Sequence, residues 1–300
     1  MDLTAWSLRP PVFDGALVRP LFLVKPHRSP TLGRRRHNGG VYDQGRSPSS
    51  ARPVVDVVIL TWNDPAMLER ALDSVLAATE VVPRVIVIDN GSRPAALGFE
   101  DPDVVLVRNE TNQGVAKARN QGARLGAASL ICFLDSDAVL LPQSLGRLAE
   151  VVLADERIAV AVPVFAGQKP EASAGRAPTL GRKAFRALRL SDHYDGVEPT
   201  AHGAPREVDF GIGACQVVRR SAFNDVGGLD ESYFYGPEDV DFCLRLRERG
   251  WRVLQVSDAS VEHPPRRRNR TLMTRRGARH AWAVCRHLWR HRRFRGMSAR

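Results

Sequence analysis

Residues 133–139 read FLDSDAV and place two carboxylates, Asp135 and Asp137, where an apolar run ends. The preceding SLICFL is typical of a buried strand. Because ligands bind at the carboxyl ends of strands in parallel α/β sheets, we expect both acids at that edge of a sheet. A shared divalent cation there would remove their mutual repulsion and still leave coordination sites for phosphate oxygens. The alternative is that both residues only turn the chain towards a helix near Pro142.

Strand-like and helix-like stretches alternate on both sides of this motif. Helical patterns cover residues 64–79, with Asp64 as N-cap and Pro65 at the first helical position, and residues 113–127. A third helix is expected at 237–250, closed by Gly250. The predicted strands read VVDVVIL, RVIVIDN, VVLVRN, SLICFL, RIAVAVPVF, VDFGIGACQVVRR, WRVLQVS and ASVEH. This alternation predicts an α/β fold with a mostly parallel central sheet flanked by helices.

The charge of the chain divides it into three parts. Residues 1–52 carry a net charge of +6 and residues 264–300 carry +13 with no acid, which leaves −8 for residues 53–263. The first part is rich in Pro, Gly, Ser and Arg, and we expect it to be a largely disordered basic extension. The middle part is the expected globular domain, and the last part is an expected basic, amphipathic helical tail.

Apolar residues of the tail at positions 282, 285, 288 and 289 approximate one helical face, while arginines occupy the other. This composition is typical of a helix that lies on an anionic membrane. Nucleic-acid binding and a solvated tail are alternatives with the same composition. We expect peripheral contact with an anionic membrane and no nucleic-acid partner.

The cysteine pattern and hydropathy bear on the compartment. The four cysteines lie far apart without metal-site or disulfide spacing, which favours reduced thiols. No run approaches the roughly 18 apolar residues of a membrane span. The N-terminal MDLTAWSLRPPVFDG has an acid and prolines where a signal peptide needs an apolar core. We therefore expect a cytoplasmic protein at the inner face of the cell membrane.

Polar residues also follow other predicted strands. VIVIDNGS ends a strand in Asp89 and Asn90, and NQGVAKARN carries Asn112, Gly114 and further polar residues just before SLICFL. These residues could be turn residues and a solvated helix face. If they are functional, they hold a nucleobase, a ribose and a diphosphate at the same sheet edge.

With these motifs in this order, the sequence resembles the family 2 glycosyltransferases, which have the GT-A fold. The matching pieces cover residues 54–263 and read VVILTWN, VIVIDNGS, NQGVAKARNQG, FLDSDAV, the stretch from FGIGACQVVRR to LRERGW, and VSDASVEH. The segment from GACQVVRR to LRERGW is most similar to bacterial rhamnosyltransferases and galactofuranosyltransferases of cell-surface polysaccharides. The resemblance implies inverting transfer of a sugar from a nucleotide-diphosphate donor.

The resemblance also implies roles for the acidic residues. It assigns Mg²⁺ or Mn²⁺ to Asp135 and Asp137, with His263 as a further ligand. In GPEDVDF it makes Asp239 the general base, while Glu238 and Asp241 orient the acceptor or brace the helix. The alternative for these three acids is purely structural, because the helix macrodipole favours acids in a first turn.

For the donor, the resemblance assigns the base and ribose to positions after the first two strands, with Arg119 and Asn120 nearby. Gly211 and Gly213 allow close approach of the backbone to the sugar, although glycine in a strand also marks bulges. The predicted donor-binding residues are Thr61, Asn63, Asp89, Asn90, Asn112, Gly114, Arg119, Asn120 and Gly213.

The predicted function is a metal-dependent glycosyltransferase that uses dTDP-rhamnose or a UDP-sugar. Its expected acceptor is a hydroxyl of a cell-surface glycan or of a polyprenyl-linked molecule. A sugar nucleotidyltransferase is a second hypothesis, but its Gly-rich, Arg/Lys-containing signature is missing after the first strand. A third is a non-catalytic protein that binds membranes or polyanions on the same fold, against which the acids at 135, 137 and 239 argue.

Overall fold

A computed structural model describes residues 52–96, 104–167, 172–177 and 204–264, together with 282–283, 285–287 and 289–291 near the C-terminus. Except for Arg52, the expected disordered extension at 1–52 lies outside the described residues, as does most of the expected tail at 264–300. Among the described residues, no helix is long and apolar enough to span a membrane. The four cysteines are free, and all except Cys285 are buried.

Strands and helices alternate along the described residues as the sequence predicts. The strands are β1 (Val54–Thr61), β2 (Val82–Asp89), β3 (Val104–Arg108), β4 (Leu130–Asp135), β5 (Val139–Leu140), β6 (Ile158–Ala166), β7 (Ala174–Gly175), β8 (Arg206–Glu207), β9 (Phe210–Gly211), β10 (Cys215–Arg219) and β11 (Arg252–Glu262). The helices are α1 (Pro65–Leu76), α2 (Val115–Leu125), α3 (Ser144–Ala154), α4 (Arg220–Asp225) and α5 (Glu238–Glu248). Further helical residues near the C-terminus, at 282–283, 285–287 and 289–290, form what we call the C-terminal helical segment.

Nine strands form one central sheet in the order β3-β2-β1-β4-β10-β6-β11-β5, with β8 also paired to β11. Strands β3, β2, β1 and β4 are parallel, and so are β6 and β11. Strand β10 runs antiparallel between β4 and β6. The sheet has helices packed on both faces, which confirms the predicted α/β class.

The register of the parallel strands brings their carboxyl ends to one edge. Thr61 at the end of β1 pairs with Asp89 at the end of β2, and Leu60 pairs with Asp135 at the end of β4. These strands are buried on both faces, since alternate residues of β1 belong to two different apolar clusters. These strands are therefore mostly apolar, and the polar residues of the site come where each strand leaves the core. The buried Asp56 within β1 is an exception, which Arg220 Nη2 pairs at 2.7 Å.

Three local predictions have clear outcomes. Asp64 occupies the N-cap position of α1 and Pro65 begins the helix, but the Asp64 side chain makes no capping hydrogen bond. Gly250 follows α5 with φ of +86°, as a C-terminal glycine should. The two expected last strands are one long strand, β11, with a shift in pairing between Val256 and Ser260.

Candidate active site

A cavity of about 360 Å³ opens where the carboxyl ends of β1, β2 and β4 meet the start of α5. It brings together nine of the sequence-predicted site residues, which come from both halves of the chain. These are Asn90, Asn112, Arg119, Asp135, Asp137, Gly213, Glu238, Asp239 and His263.

Asp135, Asp137 and His263 form a group of potential metal ligands on one wall of this cavity. Their ligand atoms lie within 4.8 Å of one another, and His263 Nε2 is 3.6 Å from Asp137 Oδ1. The group forms because β11, which ends just before His263, pairs with β5, which starts just after Asp137. Burial raises the pKa of Asp135, and the charge of Asp137 raises it further. Two crowded carboxylates and an imidazole suit a divalent cation such as Mn²⁺ or Mg²⁺, so the residues present fit the predicted metal.

Arg119 joins three walls of the cavity. Its Nη2 donates to Asp135 Oδ1 at 2.6 Å and to the Gly213 carbonyl at 2.7 Å, and its Nη1 lies 3.6 Å from Glu238 Oε1. Although burial lowers the pKa of Arg119, its attraction to Asp135, Glu238 and Asp239 raises it overall. The guanidinium therefore supplies a permanent positive charge beside the carboxylates.

Gly213 has no room for a side chain. A Cβ atom at this position would lie 2.4 Å from Arg119 Nη1. The absence of a side chain at Gly213 thus leaves the space that the Arg119 guanidinium occupies at the cavity wall.

Asp239 is held at the start of α5 by two backbone donors. Gly213 N–H donates to its Oδ2 at 2.9 Å, and Val240 N–H donates to its Oδ1 at 2.8 Å. The side chain is half-buried and lines the cavity. A carboxylate oriented in this way retains lone pairs that can accept a proton from a bound hydroxyl.

Glu238 lies beside Asp239 in a different environment. Its side chain is only 6% exposed, and its Oε2 has no hydrogen-bond partner. Burial, followed by repulsion from Asp239, raises the pKa of Glu238 to about 7, whereas Arg119 opposes this shift. Two adjacent acids on one helix thus have distinct surroundings.

The raised pKa of Glu238 predicts a pH-dependent stability. The folded state favours the protonated form of Glu238, because the folded-state pKa of Glu238 is about 7 against an ordinary 4.5. The contribution of this group to the free energy of unfolding is complete below pH 4.5 and is lost as the pH rises through 7. Glu238→Gln is expected to raise the free energy of unfolding at pH 8, relative to the parent, by at most about 3 kcal/mol, and to have little effect at pH 4. Urea denaturation with EDTA present measures this, and Glu69→Gln on the exposed face of α1 is the control. If the free energy of unfolding differs between Glu238→Gln and the parent by the same amount at pH 4 and pH 8, the raised pKa of Glu238 is wrong.

Asp241 faces away from the cavity. Its carboxylate accepts from Arg245 Nε at 2.7 Å and lies 2.9 Å from His291 Nε2. Arg245 also donates to the carbonyls of Val226 and Gly228, both at 2.7 Å. Of the two roles predicted for Asp241, these contacts support bracing of the helix.

Three predicted donor residues do not line the cavity: Thr61, Asn63 and Asp89. The fully buried Asp89 accepts from Ser92 N–H at 2.9 Å and from Ala96 N–H at 3.1 Å. Asn63 accepts from Arg93 N–H at 2.7 Å. Thr61 is 1% exposed. The role of all three in donor binding stays a prediction. The contacts of Asp89 and Asn63 shape the loops around the cavity, whereas the buried Thr61 hydroxyl has no hydrogen-bond partner.

Of the predicted donor residues not yet described, Asn90 and Asn112 line the cavity, whereas Gly114 and Asn120 do not. Asn90 lines the cavity and ties it together, donating to Asn112 Oδ1 at 3.1 Å and accepting from Gln113 N–H at 3.0 Å. Gly114, with φ of +86°, precedes α2 and lies against Phe234, and the N–H of the next residue donates to the Phe234 carbonyl.

Asn120 lies behind the cavity wall and does not line it. Its amide donates to the Leu229 carbonyl at 2.8 Å and accepts from Leu229 N–H at 3.0 Å. It also donates to Glu231 Oε1 at 3.0 Å. These bonds fix the loop that leads to α5.

Comparison with known proteins identifies the family. The model of glycosyl transferase family 2 matches residues 56–227, more than half of the chain. The chain belongs to glycosyltransferase family 2. This glycosyltransferase is 31% identical over 238 residues to the N-acetylglucosaminyl-diphospho-decaprenol L-rhamnosyltransferase of Mycobacterium tuberculosis, covering 70% of the chain and 76% of the relative. It is 32% identical over 236 residues to a pre-mycofactocin glycosyltransferase of the same species, covering 74% of the chain but only 45% of the relative.

Solved structures confirm the fold of the glycosyltransferase. GalNAc-T7 with UDP, GalNAc and Mn²⁺ matches with a TM-score of 0.56 at 19% identity, covering 74% of this chain and 46% of that one. The mannosyltransferase PcManGT from Pyrobaculum calidifontis, with GDP-Man and Mn²⁺, matches with a TM-score of 0.54 at 17% identity, covering 81% and 65%. Both neighbours support the predicted GT-A fold.

The cavity of the glycosyltransferase also contains residues that the sequence reasoning missed. Trp62, Asp64, Phe234 and Tyr235 line it, and Tyr235 is 50% exposed. The signal for Trp62 was present, because it directly follows a strand whose end lies at the site. The aromatic pair before α5 carried no such signal, since only the folded loop directs it to the cavity.

Proposed function

We propose that this glycosyltransferase is an inverting, divalent-metal-dependent enzyme that uses dTDP-rhamnose or a UDP-sugar. Its proposed acceptor is a hydroxyl of a polyprenyl-linked molecule or a cell-surface glycan, met at the inner face of the cell membrane. The observation that carries the proposal is that one cavity holds the Asp135–Asp137–His263 group and the oriented carboxylate of Asp239.

Inversion requires a single displacement at the anomeric carbon. Asp239 accepts the proton of the acceptor hydroxyl while its oxygen bonds to that carbon, and the bond from the carbon to the diphosphate oxygen breaks. The backbone N–H groups of Gly213 and Val240 keep the Asp239 carboxylate oriented for this transfer. The proton thus ends on Asp239 and the electron pair on the departing nucleoside diphosphate.

The other wall of the cavity would bind that leaving group. A divalent cation held by Asp135, Asp137 and His263 would supply charge neutralisation to the diphosphate. Arg119 adds a fixed positive charge, and its bond to Asp135 orients that carboxylate. Asn90 and Asn112 offer hydrogen bonds to polar groups of the nucleotide from the neighbouring wall.

Donor and acceptor are proposed from the similar proteins. The two matching structures contain Mn²⁺ together with a nucleotide or nucleotide sugar, which supports a metal-dependent donor site. The rhamnosyltransferase relative is named for a decaprenol-linked acceptor, which supports a lipid-linked acceptor and rhamnose as the sugar.

Thermal unfolding with dTDP-rhamnose and with UDP- and GDP-linked sugars, each with and without Mn²⁺, tests the donor proposal. We expect one nucleotide class to raise Tm only when Mn²⁺ is present, and its sugar to be slowly hydrolysed in a reaction that EDTA stops. Asp258→Asn, on the surface, is the control and should behave as the parent. Formation of a nucleotide sugar from a sugar phosphate and a nucleoside triphosphate would instead indicate a nucleotidyltransferase.

A further inference from the structure

The C-terminal helical segment directs two histidines and Ala283 towards the domain and its two tryptophans outward. His287 is 1% exposed, and His291 is 8% exposed. In contrast, Trp282 is 56% exposed, Trp289 is 69% exposed, and Cys285 is also exposed. A helix on the surface of a soluble domain normally has the opposite orientation, with apolar residues inward.

Specific polar contacts fix this orientation. Arg286 and Arg290 donate to Asp230 Oδ2 at 3.0 Å and 2.7 Å. The ring of His291 lies between two carboxylates, with Nε2 2.9 Å from Asp241 Oδ1 and Nδ1 3.1 Å from Glu248 Oε1. Turning the segment over to bury the tryptophans would break these contacts and leave the fully buried Asp241 without one of its partners.

The two tryptophans form one outward face. They are seven residues apart, which is about two helical turns, so they lie on the same side of the segment as Cys285. They are also the two most exposed large apolar side chains among the described residues. Exposed aromatic groups that share one helical face mark an interaction surface, whereas single exposed apolar residues do not.

We propose that Trp282, Cys285 and Trp289 form a face that lies in the headgroup region of an anionic lipid bilayer. Residues 264–300 contain thirteen arginines and no acid, which complements an anionic surface and disfavours a basic or neutral one. Tryptophan combines an apolar ring with an N–H donor, and it is therefore suited to the boundary between headgroups and acyl chains.

Membrane contact at this face would hold the active site near the bilayer. The segment binds Asp241, which lies two residues after Asp239 on α5, and Asp230, which lies in the loop before that helix. The membrane face and the proposed base are therefore connected by a short set of polar contacts. The advantage of holding the active site near the bilayer rests on the proposed lipid-linked acceptor. Vesicle binding is measured without turnover, so the membrane proposal and the acceptor proposal can fail separately.

The test is co-sedimentation of the full chain with vesicles of phosphatidylglycerol and phosphatidylcholine, compared with phosphatidylcholine alone. We expect binding only to the anionic vesicles, weakened by salt and accompanied by a blue shift of tryptophan fluorescence. The double variant Trp282→Ala/Trp289→Ala should bind about tenfold more weakly while keeping the parent Tm. The matched control Leu76→Ala/Leu153→Ala removes two exposed apolar side chains elsewhere and should bind as the parent does.

Three results would overturn the proposal. The first is equal vesicle binding by the tryptophan variant and the parent. The second is a parent protein that ignores anionic vesicles. The third is a concentration-dependent dimer, seen by light scattering, that the tryptophan substitutions abolish, because the face would then bind a second copy of the chain.

Discussion

Asp239→Asn is expected to lower kcat by about 10²- to 10⁴-fold, the range typical of a lost general base, while donor affinity stays unchanged. An amide cannot accept the acceptor proton, although it has nearly the shape of the carboxylate. Gly213 N–H and Val240 N–H both point at the carboxylate oxygens, so one of them will face an NH₂ group in the variant. A modest loss of stability is therefore expected as well, and it must be measured separately.

The experiment compares turnover of the donor identified by thermal unfolding with Kd for the same donor in the presence of Mn²⁺. Asp258→Asn makes the same chemical change at an exposed carboxylate bound to Arg147, and it should leave both quantities as in the parent. If Asp239→Asn keeps most of the parent turnover, Asp239 is not the base. If it loses donor binding in proportion to turnover, its role is in the donor site.

The parallel half of the sheet could be predicted from local sequence. Strands β1, β2 and β4 are mostly apolar because both of their faces are covered by helices, and Asp56 is the one buried charge within them before their carboxyl ends. The antiparallel placement of β10 between β4 and β6 could not be predicted, since apolar content does not encode strand direction. That placement shapes the candidate site, because the carbonyl of Ala214, just before β10, accepts from Asp135 N–H at 2.9 Å and so holds the preceding Gly213 near the acids.

The acids of the site could be predicted because their positions are tied to element ends. Asp135 is the last residue of β4, and Asp239 is the second residue of α5. Their partners depend on contacts distant in sequence, since Arg119 reaches a carbonyl 94 residues away. A basic residue on a helix is ordinarily solvated, yet Arg119 is 3% exposed, and only the folded packing reveals this.

The sequence does not show whether a polar residue near a site binds a ligand or only stabilises the surrounding loops. Asp89 and Asn90 are neighbours in the same motif, but Asp89 binds the backbone of its own loop while Asn90 lines the cavity. Buried polar atoms require partners in either role, so sequence alone predicts similar residue types for both. The same ambiguity applies to Asn120, which fixes the loop before α5.

Asp137→Asn is expected to abolish the Mn²⁺-dependent rise in Tm and to lower kcat/KM by about a thousandfold, because the metal's contribution to the transition state is several kcal/mol. The substitution removes one carboxylate from the Asp135–Asp137–His263 group but leaves the bond between Arg119 and Asp135 intact. Some donor binding should therefore remain through Arg119.

Asp258→Asn is the matched control, since it makes the same chemical change at an exposed carboxylate that does not line the cavity. It should retain both the Mn²⁺ response and turnover. Isothermal titration with Mn²⁺ in the presence of the nucleoside diphosphate measures metal affinity directly. Unchanged Mn²⁺ affinity in Asp137→Asn would place the metal elsewhere. Full parent turnover in excess EDTA would show that Arg119 and the other cavity residues suffice to stabilise the leaving diphosphate, and the two carboxylates of FLDSDAV would then need a different explanation.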